Sequence, residues 1–491
     1  MKRTLGMLFA VFGLIPGIFF GFSFAAYALS GWLVVKMTNW SNIPEHTLAP
    51  QWAGVISSVF NMLVLMLGGV MVIATLLTLA ERKWSAFMQD RVGPNRARFS
   101  VIPGLGDRPL AGIPHIIADS LKMLTKEGFV PDEAYQFLFR LAPVLNFAPV
   151  FCLFAIVPVG PRIFTGMMAA TVGHPEPGYV DLQVIHPDFG LLYLFALASI
   201  AVYGTALAGW ASSNKFALLG GVRATSQMIS YEVALGLGLV GMMCLTNTLR
   251  LEEMTSFQNA YIWQVGSHDF GLPRWGIFLQ PIGFILFFTA AFAETKRAPF
   301  DLPEGESEVI GYFVEYSGMG FGLFMITEFV EVVVLAAVTT AIFLGGYHLP
   351  FLENTLHQAL SGGSDISEAH RIWGEILFGS ILATVFWLKV MFLCYVQLAV
   401  RWSFPRFRYD QIQRLGWQML LPAGLVNVFV SGALILWDPT LQALTILGFI
   451  EIFALLALIP GPSKEVAPAG AHGGHGHDAH DAHAAAAGHG H

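Results

Sequence analysis

Hydrophobic segments of about membrane-spanning length recur along the whole chain and are separated by shorter polar stretches. A helix needs about 20 apolar residues to cross the hydrocarbon core of a bilayer. The pattern predicts spans at 7–29, 52–80, 139–157, 189–210, 218–245, 277–293, 321–345, 374–400, 417–436 and 441–459. The predicted fold class is therefore an all-α polytopic membrane protein with about ten transmembrane helices.

A further segment, 113–127, has a helical pattern but is too short to span. Ile117, Leu121 and Leu124 recur on one face, whereas Lys122 falls on another. Such an amphipathic helix is expected to lie along the inner membrane surface. It is a common structural element, and it could also form the floor of an opening for an amphiphilic ligand.

Lysine and arginine are distributed unevenly between alternate loops. With the N-terminus inside, 20 of the 26 cations fall on the inner side and five on the outer side, while Lys389 lies within a span. Inner loops of membrane proteins carry this excess of positive charge. The composition also supports a membrane protein. With 55% hydrophobic and only 12% charged residues, it excludes an ordinary soluble enzyme.

The chain divides into a long core and two ends of different character. We expect an N-terminal extension at 1–51, a core membrane domain at 52–436, an additional C-terminal helix within 437–462, and a disordered tail at 463–491. The first hydrophobic run is either a retained helix or a signal peptide that ends at Ala26-Tyr27-Ala28. Seven of the fifteen histidines lie in the tail, where adventitious metal binding is expected rather than a catalytic site.

Acidic residues are concentrated between two predicted spans, from residue 294 to residue 316. Six acids and two cations lie there, and Pro299 and Pro303 interrupt any helix that continues from the preceding span. Asp301 precedes Glu304 by three residues, as in a capping box for a new helix. If that helix is continuous, Glu304, Glu308 and Glu315 share one face, and some of them should take up protons near neutral pH. The alternative is a solvated acidic loop.

Ionisable residues also fall inside the predicted spans, at Glu232, Glu328, Glu331 and Lys389. An unpaired charge in hydrocarbon is costly, and such residues usually mark an ion or proton pathway. We therefore predict that these side chains face the bundle interior and pair with one another or connect through water. The polar stretch at 81–99 adds Glu81 at the inner end of a span.

Other kinds of chemistry are excluded by the sequence. No histidine falls inside a predicted span, so haem held between membrane helices is not expected. The three cysteines form no CxxC pair, and no P-loop, Rossmann unit or nucleophile elbow is present. A GxGxxG at 236–241 lies inside an apolar helix, where close helix packing explains it better than nucleotide binding. The pattern favours proton movement coupled to chemistry that a partner carries out.

Five stretches in order resemble one family, the H subunits of the proton-pumping NADH–quinone oxidoreductases (respiratory complex I). The resemblance covers about residues 52–436, and both ends lie outside it. The stretches are ERKWSAFMQDRVGPNRA, DSLKMLTKE, GWASSNKFALLGGVRATSQMISYEVALGL, AETKRAPFDLPEGESEVIGYFVEYSGMGFGLF and RYDQIQRLGWQMLLP.

The resemblance implies a membrane-arm component of a translocase that is not catalytic alone. It would lie in the bacterial inner membrane and join the hydrophilic arm to the pumping modules. It would help form the chamber where quinone, as ubiquinone or menaquinone, is reduced by an iron–sulfur cluster. The clusters and FMN would belong to partner subunits. The expected partners are the quinone-site subunits of the hydrophilic arm and adjacent membrane subunits. Lipid is also a partner, nucleic acid is not, and no metal is bound.

The resemblance also implies roles for particular residues. The expected quinone chamber and its mouth comprise Arg82, Phe87, Arg91, Arg96, Lys126, Arg297 and Phe300. The expected proton-coupling residues are Glu81, Glu232, Glu294, Asp301, Glu304, Glu306, Glu308, Glu315, Glu328, Glu331 and Lys389. Two alternatives stay open at this point: the homologous membrane subunit of a membrane-bound hydrogenase or hydrogenlyase, and an autonomous ion-coupled transporter, although the chain shows no internal repeat.

Overall fold

The computed structural model describes a bundle of long helices with two short hairpins. The described residues are 15–39, 58–97, 112–167, 178–180, 182–264, 271–303, 305, 311–361 and 368–458. Three of the predicted coupling residues, Glu304, Glu306 and Glu308, lie outside these ranges, and so does the tail from residue 459.

The helices, in chain order, are α1 (Ile15–Asn39), α2 (Ser58–Met88), α3 (Ile113–Thr125), α4 (Gln136–Leu153), α5 (Gly190–Ala211), α6 (Lys215–Thr246), α7 (Leu251–Phe257), α8 (Gly276–Leu279), α9 (Pro281–Glu294), α10 (Gly318–Phe343), α11 (Glu353–Ser361), α12 (Glu368–Ser403), α13 (Tyr409–Trp437) and α14 (Gln442–Leu458). Strands β1 (Ile163–Met167) and β2 (Gly178–Val180) pair antiparallel, as do β3 (Tyr261–Gln264) and β4 (Gly271–Pro273).

The all-α membrane fold predicted from the sequence is confirmed. Within the described ranges, seven helices are long and apolar enough to cross a membrane, and three shorter apolar helices accompany them. The predicted span at 277–293 is interrupted at Gln280, so that α8 ends and α9 begins with Pro281 at its first turn. Proline is tolerated there because the first helical N–H groups have no intrahelical partner. Helix α12 is longer than predicted and continues to Ser403.

Helix α10 forms the centre of the bundle. Every residue from Thr327 to Phe343 is buried, and α2, α4, α9 and α12 all pack against this helix. A helix that is apolar all round is buried on all sides, and α10 meets that description except at Glu328 and Glu331. The two glutamates are therefore enclosed by the bundle, as the sequence predicted.

The predicted amphipathic segment is confirmed as helix α3. It packs against α2 and α10, while its apolar residues Ile117, Leu121 and Leu124 remain exposed. Arg82 on α2 donates to Asp119 on α3, with 2.6 Å between Nη1 and Oδ2. An exposed apolar stripe beside a charged contact suits a helix lying at a membrane surface.

The outermost helices α1 and α14 pack onto the bundle by aromatic and glycine contacts. On α1, the Phe19 ring stacks on Trp387 of α12 with centroids 5.5 Å apart, and the Tyr27 hydroxyl donates to the Pro161 carbonyl. On α14, Gly448 lies so close to the Phe278 carbonyl that a Cβ would be only 2.0 Å from its oxygen. Only glycine permits that approach.

Candidate functional site

We call the end of the bundle that contains residues 81–97, 295–303 and 401–408 the basic end. Arg297 is buried at this end, with 7% of its surface exposed. Its Nη1 lies 3.0 Å from Glu81 Oε2 on α2, and its Nη2 lies 3.9 Å from Glu328 Oε2 on α10. The guanidinium also lies over the Phe329 ring, 3.8 Å from the centroid. Arg401 of α12 pairs with the other oxygen of Glu81. Ion pairs therefore connect α12 to α2 through Glu81, and α2 to α10 through Arg297.

The neighbouring lysine reaches a different acid. Lys296 has a left-handed backbone, with φ of +55°, directly after α9 ends. This conformation commonly terminates a helix. After the turn, Lys296 pairs with Glu331, whereas Arg297 pairs with Glu81 and Glu328. Lys296 is 2% exposed, and its Nζ lies 3.6 Å from Glu331 Oε2. Glu331 is one helical turn beyond Glu328 on α10, so the two ion-pair groups are adjacent.

Three carboxylates from three helices line one small internal cavity. They are Glu232 of α6, Glu294 at the end of α9 and Glu331 of α10, and the remaining lining residues are apolar. The cavity holds about 20 Å³, which is room for about one water molecule. Ser199 of α5 donates to Glu232. Glu294 is 4% exposed, and its Oε2 has no hydrogen-bond partner among the described residues.

These groups form a continuous series from the basic end into the bundle. We call it the buried acidic path, defined as Glu81, Glu328, Glu331, Glu294 and Glu232 with the cations Arg297 and Lys296 among them and Arg401 paired with Glu81 at the outer end. The structure thus brings together five of the predicted coupling residues. Sequence reasoning assigned no role to Lys296 or Arg401, because cations at the end of an apolar segment look like an ordinary positive-inside flank.

The other acids of the predicted coupling set lie apart from this path. Asp301 is buried and pairs with Arg406, with 3.1 Å between Oδ2 and Nη2, beside a cleft of about 700 Å³. Glu315 accepts from Asn214, with 2.6 Å between Oε1 and Nδ2. Residues 311–317 form turns rather than a helix, so the expected shared helical face does not extend to Glu315. Gly311, with φ of +126°, has a conformation that no helix continues through.

Aromatic packing encloses the turn that follows Glu315. The Tyr316 ring stacks on Phe139 of α4 with centroids 3.9 Å apart, and it meets Phe324 of α10 edge-on. Burial raises the pKa of the Tyr316 hydroxyl above its ordinary value. Tyr316 is therefore neutral at physiological pH and acts as a packing residue beside the acidic segment.

Lys389 lies at the opposite end of α10 from the basic end. Its Nζ donates to the carbonyls of Leu344, Gly346 and His348 at 2.8, 2.9 and 2.8 Å, and it lies 4.7 Å from the centroid of the Trp275 ring. The sequence predicted pairing or a water connection for this lysine. In the structure it donates to carbonyls that follow α10, which have no partner within the helix, and Glu353 interacts with it electrostatically.

The residues predicted for the quinone chamber separate into two groups. Arg82, Phe87, Arg91, Arg96 and Lys126 are exposed at the basic end, around α2 and α3. Arg297 and Phe300 are buried behind that surface. The Phe300 ring packs against the rings of Tyr231, Phe292 and Phe407.

Comparison with known proteins identifies the family. A family model described as NADH dehydrogenase matches residues 60–432, which leaves α1 and α14 outside the match. The chain is 38% identical over 368 residues to the NADH-quinone oxidoreductase H subunit, numbered 1, of Cytophaga hutchinsonii, covering 74% of this chain and 93% of that protein. The H subunit of the Bdellovibrio bacteriovorus enzyme is 39% identical over 365 residues, covering 72% and 90%. The H subunit of the Flavobacterium psychrophilum enzyme is 37% identical over 367 residues, covering 74% and 93%. The chain therefore belongs to the NADH dehydrogenase family that includes the H subunits of the NADH-quinone oxidoreductases.

Proposed function

We propose that this chain is a multi-pass membrane subunit of an NADH–quinone oxidoreductase, where it couples quinone reduction to proton translocation. It is not catalytic alone and works in the bacterial inner membrane with the hydrophilic-arm and adjacent membrane subunits. The iron–sulfur clusters and FMN belong to partner subunits in this proposal. The observation that carries the proposal is the buried acidic path from the basic end to Glu232. The names of the relatives favour the quinone enzyme over the hydrogenase alternative.

The path suits coupling because its members are close together and poorly hydrated. Charges interact more strongly in a low-dielectric interior than in water, and a shift of one pKa unit corresponds to about 1.4 kcal/mol. Negative charge that develops on a quinone at the basic end would act first on Glu81 and Arg297. Its effect would reach Glu331, Glu294 and Glu232 through successive ion pairs and the water-sized cavity.

The exposed group at the basic end supplies the quinone-facing surface in this proposal. Phe87 offers an apolar ring face, with 53% of its surface exposed, and Arg82, Arg91, Arg96 and Lys126 offer positive charge. Cations stabilise the negative charge of a reduced quinone, and the exposed apolar stripe of α3 suits an isoprenoid tail. A partner subunit would close this surface into a chamber, with Arg297 and Phe300 behind it.

The coupling role predicts a selective defect in Glu232→Gln. Glutamine keeps the size of the side chain but cannot exchange a proton, so quinone-linked NADH oxidation is expected to fall about tenfold or more. NADH oxidation with a soluble acceptor is expected to stay intact, because that reaction does not involve the membrane arm. Both rates are measured on the assembled complex.

Glu451 provides the matched control for this test. It lies on α14, outside the family match and away from the buried acidic path, and its carboxylate accepts from the backbone N–H of Ile282. Glu451→Gln retains an acceptor oxygen and is expected to leave both rates near those of the native complex. Equal loss of both rates in Glu232→Gln would refute the coupling role.

The quinone-facing surface is tested separately by Arg91→Ala. Loss of one exposed cation at the quinone-facing surface is expected to raise the apparent KM for quinone about tenfold, equivalent to about 1.4 kcal/mol of binding free energy. The control is Arg408→Ala, which removes an exposed arginine at the same end that pairs with Asp410. Unchanged quinone kinetics in Arg91→Ala, or an equal change in the control, would remove Arg91 from this surface.

A further inference from the structure

Lys296 occupies an unusual position for a lysine. Its side chain is 1% exposed, and its ammonium lies 3.6 Å from Glu331 Oε2. The same Nζ lies 3.9 Å from the Met228 sulfur of α6, which is only a weak acceptor. Burying an ammonium without a charged partner costs free energy. Glu331 is therefore the group that stabilises the charge of Lys296.

The charges around Lys296 come from every helix that encloses it. Glu331 and Glu328 lie on α10, Glu294 ends α9, and Glu232 lines the shared cavity from α6. Arg297 follows in the chain but is occupied by Glu81 and Glu328. Lys296 is thus the cation adjacent to the cavity that holds Glu232, Glu294 and Glu331.

We propose that Lys296 is a positioning residue that compensates the charge of Glu331, so that proton uptake in the cavity falls on Glu294. This inference rests on the proposed coupling function and assigns a specific electrostatic part within it. Lys296 and Glu331 together contribute no net charge to the cavity. The remaining two carboxylates then share one water-sized space, where like charges disfavour simultaneous ionisation.

The proposal predicts opposite effects from the two single substitutions. Lys296→Met removes the cation, so the carboxylates ionise less readily, and the acidic limb of the pH profile for quinone-linked NADH oxidation should move to higher pH. Glu331→Gln removes the anion, so the uncompensated lysine favours ionisation of Glu294, and the limb should move to lower pH. Each shift is expected to be about one pH unit, as is common for charges within a few ångströms.

The double variant Lys296→Met with Glu331→Gln completes the experiment. Both charges are absent, so the limb should return close to its native position. The assembled complex is used throughout, and the amount of this chain incorporated into the complex reports on assembly. If Lys296→Met assembles poorly and the double variant assembles normally, the pairing is supported by rescue, and Glu331→Gln still reports the shift to lower pH.

Two results would overturn the proposal. One is a limb that stays in place in both single variants, and the other is a double variant no closer to native than either single variant. Glu232→Gln distinguishes failure of this inference from failure of the proposed function. Glu232→Gln could show a selective quinone-linked defect while Lys296→Met and Glu331→Gln show no opposite pH shifts. That result would support the coupling function and exclude Lys296 from it.

Discussion

Replacing Arg297 with methionine is expected to have the largest effect of any single substitution in the buried acidic path. Arg297 binds Glu81 and Glu328, and the arginine and both acids are largely buried. Removing one partner of a buried ion pair typically costs about 3–5 kcal/mol, because the remaining charge loses ion-pair stabilisation in a poorly hydrated site. We expect a strong loss of assembled complex, and the complex that does assemble should lose nearly all quinone-linked NADH oxidation.

The measurement is the amount of chain incorporated into the complex, together with the temperature at which the complex inactivates. Arg414→Met is the matched control, since Arg414 is exposed at the same end and donates to Gln418 on its own helix. The double variant Arg297→Met with Glu328→Gln should recover part of the assembly, because it also neutralises a buried acid that Arg297 pairs with. Normal assembly and activity in Arg297→Met would show that the ion pairs contribute little.

Lys389→Met is expected to give the second large effect. Lys389 belongs to α12 and contacts the end of α10 that lies opposite the basic end. The substitution leaves three carbonyls after α10 without their donor, and each unsatisfied buried acceptor costs about 1–3 kcal/mol. We expect a clear fall in the thermal stability of the complex. Because α10 also carries Glu328 and Glu331, a shift of this helix should lower quinone-linked activity more than activity with a soluble acceptor.

Lys215→Met serves as its control, because Lys215 is exposed at the start of α6. Lys389→Arg tests the geometry: a planar guanidinium cannot easily direct its donors to three carbonyls that converge on one point. Arginine should therefore restore the charge but only part of the stability. Equal thermal stability of native and Lys389→Met complexes would contradict the assigned contact.

Much of the helical architecture could be predicted because each span is encoded locally. Helices α5, α6 and α10 follow the predicted apolar segments within a few residues, whereas α2 continues to Met88, beyond its predicted end at residue 80. The sequence could not show that α10 is the central helix, because a span that faces lipid and one that faces other helices are both apolar. It also missed the interruption at Gln280. This residue lies inside an apolar segment and bonds to Ser431 and Asn427 of α13.

The candidate site was predicted as a set of residue types and not as an arrangement. Glu81, Glu232, Glu328 and Glu331 stood out because acids are rare and costly near hydrocarbon. Lys296 did not stand out, because a lysine beside an arginine after an apolar run usually faces water. The partners of Lys389 had no sequence signal at all, since backbone carbonyls are present at every residue.

The order of amino acids was enough to specify which segments are apolar enough to enter a membrane and which ionisable residues enter with them. Each span's apolar composition favours burial in hydrocarbon, a property that is local to its segment. Which acid meets which cation depended on the folded arrangement. Arg297 and Glu81 are 216 residues apart in the chain yet 3.0 Å apart in space, and charge pairing depends on that spatial distance. The pairing was therefore set by how α2, α9, α10 and α12 pack together.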